Sequence, residues 1–280
     1  MPSTLLDDRG VLRLSGEQAR AFLQGLVTND VETLPAGEAR FAAMLSPQGK
    51  ILFDFFVLRG SGDKSDELIL DVSRDKIDDL AKRLAMYRLR AAVAIEDLSS
   101  SLAVVAIWGD EADKVPPGLA FRDPRHPIAG VRALVEKSAV PSLGSQAAYE
   151  AHRIALALPK GGVDFPYGDA FPHETGMDRL HGVDFRKGCY VGQEVVSRMQ
   201  HRGSARTRIV RVAFAGDAPP PLAEIRAGEK RLGAMGSAAG EIGLAMLRTD
   251  RLQEAIADGT QITAGGVPLY VPAAGEEVDQ

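Results

Sequence analysis

One thiol, Cys189, stands in a chain of 280 residues. No internal disulfide can form, and a zinc or iron–sulfur centre built from the chain's own thiolates, which as a rule takes three or four ligands, is out of reach. Cohesion therefore has to come from buried apolar surface. The chain is long enough for that, since at this size roughly 75% of the unfolded surface is removed from water. Its 45% hydrophobic and 25% charged residues are an ordinary soluble balance. Length predicts two domains, or three small ones. Thirty-three basic against 38 acidic residues give a net charge of −5, which argues against a dedicated nucleic-acid or anionic-membrane surface. The first ten residues have no apolar h-region and carry Asp7 and Asp8, unlike a signal peptide or an Arg-rich transit peptide. The longest clean apolar run, 102–108, is far too short for a bilayer. The expectation is a soluble, cytoplasmic protein with no permanent metal, no nucleic-acid partner and no membrane partner.

The periodicities predict an α+β chain. Residues 11–14 read as a strand, and Ser15 with Gln18 fits a capping box before the stripe Ala19, Phe22, Leu23 and Leu26. Thr28, Asn29 and Asp30 then act as turn formers. Ser46-Pro-Gln-Gly49 turns the chain into a strand over 51–58, which pairs with 67–72 as a hairpin. A helix over 75–89 and strands over 91–95 and 102–107 follow, with antiparallel pairing expected. Residues 115–118 and 123–127 read as loops, and 145–158 as a helix. Beyond Arg206, strands at 209–214, 243–247, 261–263 and 267–271 alternate with Gly- and Pro-rich turns, which suggests a small β sandwich or barrel over 207–280.

The segment richest in chemistry is Arg186-Lys-Gly-Cys-Tyr-Val-Gly-Gln-Glu194. Gly188 and Gly192 allow a sharp turn or a close approach around Cys189. Arg186 and Lys187 place two cations beside the thiol, which favours thiolate. Gln193 and Glu194 offer an amide and a carboxylate to the donor/acceptor edge of a heterocycle. The plainer alternative is a buried cysteine in a tight turn with solvated neighbours.

Lys187-Gly-Cys-Tyr-Val-Gly-Gln-Glu194 resembles the signature of the folate-binding YgfZ family, relatives of the glycine-cleavage T-protein aminomethyltransferase. Phe22-Leu-Gln-Gly-Leu-Val-Thr-Asn-Asp30, Ser46-Pro-Gln-Gly-Lys50, Tyr87-Arg-Leu-Arg90, Pro172-His-Glu174 and Gly182-Val-Asp-Phe185 resemble other elements of that family, so the likeness runs from about Arg9 to Arg208. It implies a T-protein-like ring of α+β lobes with a C-terminal small β-barrel. The lobes expected are a discontinuous folate-binding one (1–48 with 146–206), a ferredoxin-like one (49–145) and the barrel (207–280). It also implies tetrahydrofolate as cofactor, and a role in assembly or repair of iron–sulfur clusters with client or assembly proteins as partners.

Within the resemblance, Glu174 takes the place of a glutamate that hydrogen-bonds the pterin, a role suited to a carboxylate. The remaining folate contacts implied are Lys187, Gly188, Tyr190, Gly192, Gln193, Glu194 and Asn29, although Asn29 and Asp30 also suit a turn. Cys189 is the reactive thiol. As a nucleophile it needs a base, for which His173, His181 and His201 are available. As a lone thiol it suits a transient cluster ligand shared with a partner, the role preferred here, and a structural thiol is the third option. Lys187, Arg198 and Arg202 suit the carboxylates of a folate tail or an acidic partner, within a basic stretch from Arg186 to Arg211. The T-protein's catalytic aspartate has no clean counterpart in residues 70–78, where Asp75 and Asp78 are the nearest candidates. Folate-dependent aminomethyl transfer is therefore the alternative function, and a folate-free partner scaffold the second.

Overall fold

Residues 51–59 read Ile-Leu-Phe-Asp-Phe-Phe-Val-Leu-Arg, apolar on both faces of an extended chain, so this strand has to be covered on both sides. The computed structural model describes residues 2–64, 66–109, 119–140, 144–203 and 205–271. In chain order, β1 (Ser3–Leu5) and β2 (Arg9–Ser15) precede α1 (Ala19–Gln24), β3 (Ala39–Leu45), β4 (Ile51–Arg59) and β5 (Leu68–Ser73). Next come α2 (Ile77–Arg88), β6 (Ala94–Asp97), β7 (Leu102–Ile107), β8 (Leu119–Arg122) and β9 (Val131–Glu136). Helices α3 (Gln146–Ala155) and α4 (Gln193–Arg202) lead to β10 (Thr207–Ala213), β11 (Glu224–Ala227), β12 (Lys230–Ala239) and β13 (Ile242–Arg248). The chain closes with α5 (Thr249–Ala257), β14 (Ile262–Ala264) and β15 (Val267–Leu269).

Three antiparallel sheets result. The first has the order β3-β4-β5-β2-β6, the second β1-β7-β9-β8, the third β10-β13-β12-β11-β14-β15. Alternation along β4 explains the layering: Phe53, Phe55 and Val57 join Ile77, Leu80 and Leu84 of α2 and Leu23 of α1 in one core. Phe56 and Leu58 face the other way, into a core with Val104, Phe121 and Leu134 of the second sheet. The third sheet closes on itself, because Ala213 and Tyr270 exchange both backbone hydrogen bonds at 2.8 Å. It is a barrel rather than a sandwich.

One carboxylate collects several of the bonds that fasten the barrel to the rest. Asp164 Oδ1 accepts from the Ser237 amide at 2.7 Å and its hydroxyl at 2.6 Å, while Oδ2 accepts from Arg153 Nη1 at 3.0 Å and the Lys160 amide at 2.8 Å.

The structure departs from the expected elements in several places. Ser15 is the last residue of β2, opposite Ala94, and not a helix cap; Gln18 instead accepts from the Ala92 amide at 2.8 Å. The boundary expected at residue 48 falls in the turn joining β3 to β4, partners from Ala39↔Leu58 to Leu45↔Ile51, so both sides of it share one sheet. Ser3–Leu5 pairs with β7, which puts the N-terminus into the sheet of residues 102–136. The expected loop at 115–118 lies outside the described residues.

Candidate functional site

Lys187 anchors the site. It is buried, and its ammonium donates to the carbonyls of Gln24 at 2.7 Å, Val27 at 2.6 Å and Asn29 at 2.8 Å. They belong to the last residue of α1 and to the turn that follows it, and the three donors of one ammonium satisfy all three at once. Burial pushes Lys187 down to about 8, so it stays charged at neutral pH.

The same junction is tied twice more. Thr28 Oγ1 donates to the Gly182 carbonyl at 2.6 Å and accepts from the Ala43 amide at 2.8 Å. Asn29 Nδ2 donates to the carbonyls of Phe41 (2.8 Å) and His181 (2.7 Å), and its Oδ1 accepts from the Asp30 amide at 2.9 Å. Gly192, at φ +85°, opens α4; a Cβ there would lie 2.6 Å from the Ser46 carbonyl oxygen and 3.2 Å from Gly49 Cα. The Ser46–Gly49 turn and the signature loop therefore meet backbone to backbone, which no larger residue permits. Segments far apart in sequence form one braced platform, and on it Cys189 is exposed. The alternative of a buried cysteine is overturned.

Beside the platform lies a cleft of ≈ 330 Å³ lined by Asn29, Arg40, Pro124, His181, Val183, Asp184, Phe185 and Arg186. Phe185 is 39% exposed, and Asp184 Oδ1 accepts from the Arg186 amide at 2.8 Å and the Lys187 amide at 3.2 Å. Of the residues expected to contact folate, Asn29 lines this cleft; Glu174, Lys187, Gly188, Tyr190, Gly192, Gln193 and Glu194 do not. The reasons are local. Lys187 has its donors occupied by carbonyls. Tyr190 is buried in the main core, and burial, with Asp184 nearby, pushes its hydroxyl up. Gly192 serves the backbone contact. Gly188 is exposed and a Cβ there meets nothing. The Gln193 amide donates to the Tyr190 carbonyl at 3.3 Å. Glu194 points to solvent and pairs with Arg198 at 2.6 Å. Glu174 is half-buried, its Oε2 accepts from the Phe171 amide at 2.9 Å, and burial pushes its carboxyl up.

The histidines divide as well. His173 is buried, with Nε2 2.9 Å from Gln200 Oε1 and Nδ1 without a partner among the described residues, and its ring lies 5.8 Å from that of Phe185. His181 and His201 are exposed. Part of the basic stretch is occupied: Arg208 binds Asp178 at 2.7 Å and Arg211 the Ala155 carbonyl at 2.8 Å, while Arg202 and Arg206 are exposed. Among the described residues no group of three metal-ligating side chains converges.

A second polar cluster was missed from sequence. Between the first two sheets, Asp71 accepts from Arg9 at 2.6 Å and Arg132 at 2.7 Å, and Asp123 from Arg125 at 2.7 Å and Arg132 at 3.3 Å. Arg132 also donates to the Tyr149 hydroxyl at 2.9 Å. The three guanidiniums surround the Phe56 ring, Arg132 at 4.2 Å, Arg125 at 4.8 Å and Arg9 at 6.0 Å. Nearby, Tyr167 donates to Asp54. A carboxylate inside an apolar strand, as in Leu68-Ile-Leu-Asp71 and in Asp54 amid aromatics, was the available signal.

Comparison with known proteins matches residues 7–122 to the GCVT N-terminal domain and residues 206–274 to the CAF17 C-terminal beta-barrel domain. The human mitochondrial iron–sulfur cluster assembly factor IBA57 is 31% identical over 301 residues, covering 95% of this chain and 84% of that protein. The IBA57 homolog of Mycosarcoma maydis is 36% identical over 235 residues, covering 78% of this chain and 58% of the relative, so the chain spans little more than half of that fungal protein. The crystal structure of glycine cleavage system aminomethyltransferase T from Bartonella henselae superposes with a TM-score of 0.74 at 15% identity, covering 97% of this chain and 84% of that one. The fold is thus GcvT-like with a C-terminal β-barrel, as the resemblance implied. The names the comparisons carry are IBA57 and CAF17 rather than YgfZ. The IBA57 relatives are mitochondrial by name, which lends the cytoplasmic expectation no support. Among the described residues, no helix is long and apolar enough to cross a membrane.

Proposed function

Because the chain belongs to the family of iron–sulfur cluster assembly factors that includes human IBA57, we propose that it serves in assembly or repair of such clusters, with Cys189 as a transient ligand shared with a partner and tetrahydrofolate held in the adjacent cleft. The observation that carries this reading is the exposure of Cys189 on a loop whose neighbours are clamped. A thiol that meets a partner's cluster has to be reachable, and a braced loop presents it without an ordering cost at each encounter.

The cleft supports the folate half. Its volume suits a ring system at the lower end of ligand pockets. Phe185 offers an aromatic wall, Asp184 a carboxylate for a ring's N–H edge, and Arg186 positive charge for an anionic tail. Bound folate would bring one-carbon or redox chemistry; the chain's part is to hold and orient it. Aminomethyl transfer is the weaker reading, because Asp75 accepts from Ser73 at 2.8 Å and pairs with Lys76 at 3.2 Å, and Asp78 is exposed in the first turn of α2. The scaffold reading keeps only part of its basic face. The role requires a reducing compartment with client proteins, and the mitochondrial relatives supply one setting for it.

The test is calorimetric titration with tetrahydrofolate, together with a Cys189→Ala replacement in cells. Saturable binding weakened at least about tenfold by Phe185→Ala is expected, with Glu174→Ala changing it less. Loss of cluster-dependent enzyme activity is expected with Cys189→Ala at unchanged protein level. No binding to wild type removes folate, and full enzyme activity in the thiol variant removes the shared-ligand role.

A further inference from the structure

The element Tyr87-Arg-Leu-Arg90 is used by neither the cleft nor the thiol loop. It ends α2, whose apolar stripe Ile77, Leu80 and Leu84 is buried. The residues after that stripe turn outward: Met86 is 65% exposed, Tyr87 37% and Leu89 88%. Leu89 is the residue that stops the helix, and it does so at φ +46°. Glycine holds this position without strain and is the usual choice. Here a leucine bears the strain and places its side chain in water, serving neither the turn nor the core. A strained backbone that displays an apolar side chain marks a working surface.

The stretch around it is locally basic, between Asp79 on one side and Glu96 on the other. Residues 80–95 hold four cations, Lys82, Arg83, Arg88 and Arg90, and no acid. The whole chain carries −5, so without these four it would carry −9 (−5 minus 4). A basic, apolar-tipped turn on an acidic body attracts a short acidic segment that touches the turn alone; a broad anionic surface also meets the repelling remainder.

We propose that the end of α2, with Leu89 as anchor and Lys82, Arg88 and Arg90 around it, docks an acidic protein segment bearing an apolar residue. This surface is independent of Cys189 and of the cleft. The test pans a phage-displayed short-peptide library on the wild-type protein and measures the enriched peptides by fluorescence polarisation. Peptides with acids flanking a leucine, methionine or phenylalanine are expected. Leu89→Gly and the double variant Lys82→Glu/Arg90→Glu should each weaken them by at least about tenfold, and binding should fall with added salt. Leu89→Gly should melt at or above the wild-type temperature, since it relieves the strained turn, so its lost binding cannot be lost folding. No enrichment, neutral or basic consensus peptides, or equal binding by Leu89→Gly overturns the proposal. So does preferential capture of phosphatidylserine vesicles, which would make the surface a membrane one, or Leu89-dependent self-association in sedimentation, which would make it a contact between copies.

Discussion

Two of the buried polar nodes in this protein are built on opposite rules. At Lys187 a single cation donates only to neutral carbonyls, and burial, outweighing the nearby carboxylates of Asp30 and Asp184, pushes it down to about 8. Around Phe56, cations and carboxylates alternate. Burial alone pushes Asp123 up, but Arg125 and then Arg132 outweigh it and hold the carboxyl at about 2. The first node fastens one loop to one helix end. The second bridges two sheets, β5 to β9 through Asp71 and Arg132. A cation bonded only to carbonyls suits a local clasp, whereas directly paired charges suit a seam between layers that has to tolerate complete burial.

The contrast is most exposed at Asp123. Asp123→Ala leaves Arg125 and Arg132 short of a counter-charge and should cost about 3–5 kcal/mol in urea unfolding; a cost near zero would mean the seam is not held by its charges. The same pairing has an acid signature. A folded carboxyl held at about 2 against an ordinary 3.8 contributes stability that is present above pH 4 and is lost as pH falls towards 2, about 2 kcal/mol for this group. Lys187→Met should cost less, about 1–3 kcal/mol, by leaving carbonyls without donors. Hydrogen exchange should rise in residues 24–29 and stay unchanged in β9; a uniform rise would make the clasp global rather than local. Smallest is Glu194→Ala, which breaks an exposed i,i+4 pair on α4 and should change stability by under about 0.5 kcal/mol. A larger loss would place Glu194 in the platform after all.

What could be read beforehand follows from where each signal lives. The stripe Ala19, Leu23 and Leu26 and the strand over 51–58 are local patterns, and both elements are present. Helix α4 escaped because, of its ten residues, Val196 alone is fully buried, so no apolar period marks it. Within the motif, Lys187 and Gly192 meet this chain's own backbone. A lysine's partners, 158 to 163 residues distant, leave no trace in spacing. Arg40 and Pro124 reached the cleft through sheet register and a loop, again unreadable from a linear string.

That long reach also sets a clock for synthesis. The Gln24 carbonyl waits 163 residues for its lysine, which at roughly 5–20 residues per second is on the order of ten to thirty seconds of translation. Throughout that interval the nascent N-terminal helix ends in acceptors that water must cover. The seat of the thiol is completed only once both ends of this span exist, so a chain halted in between carries half a clasp and no platform.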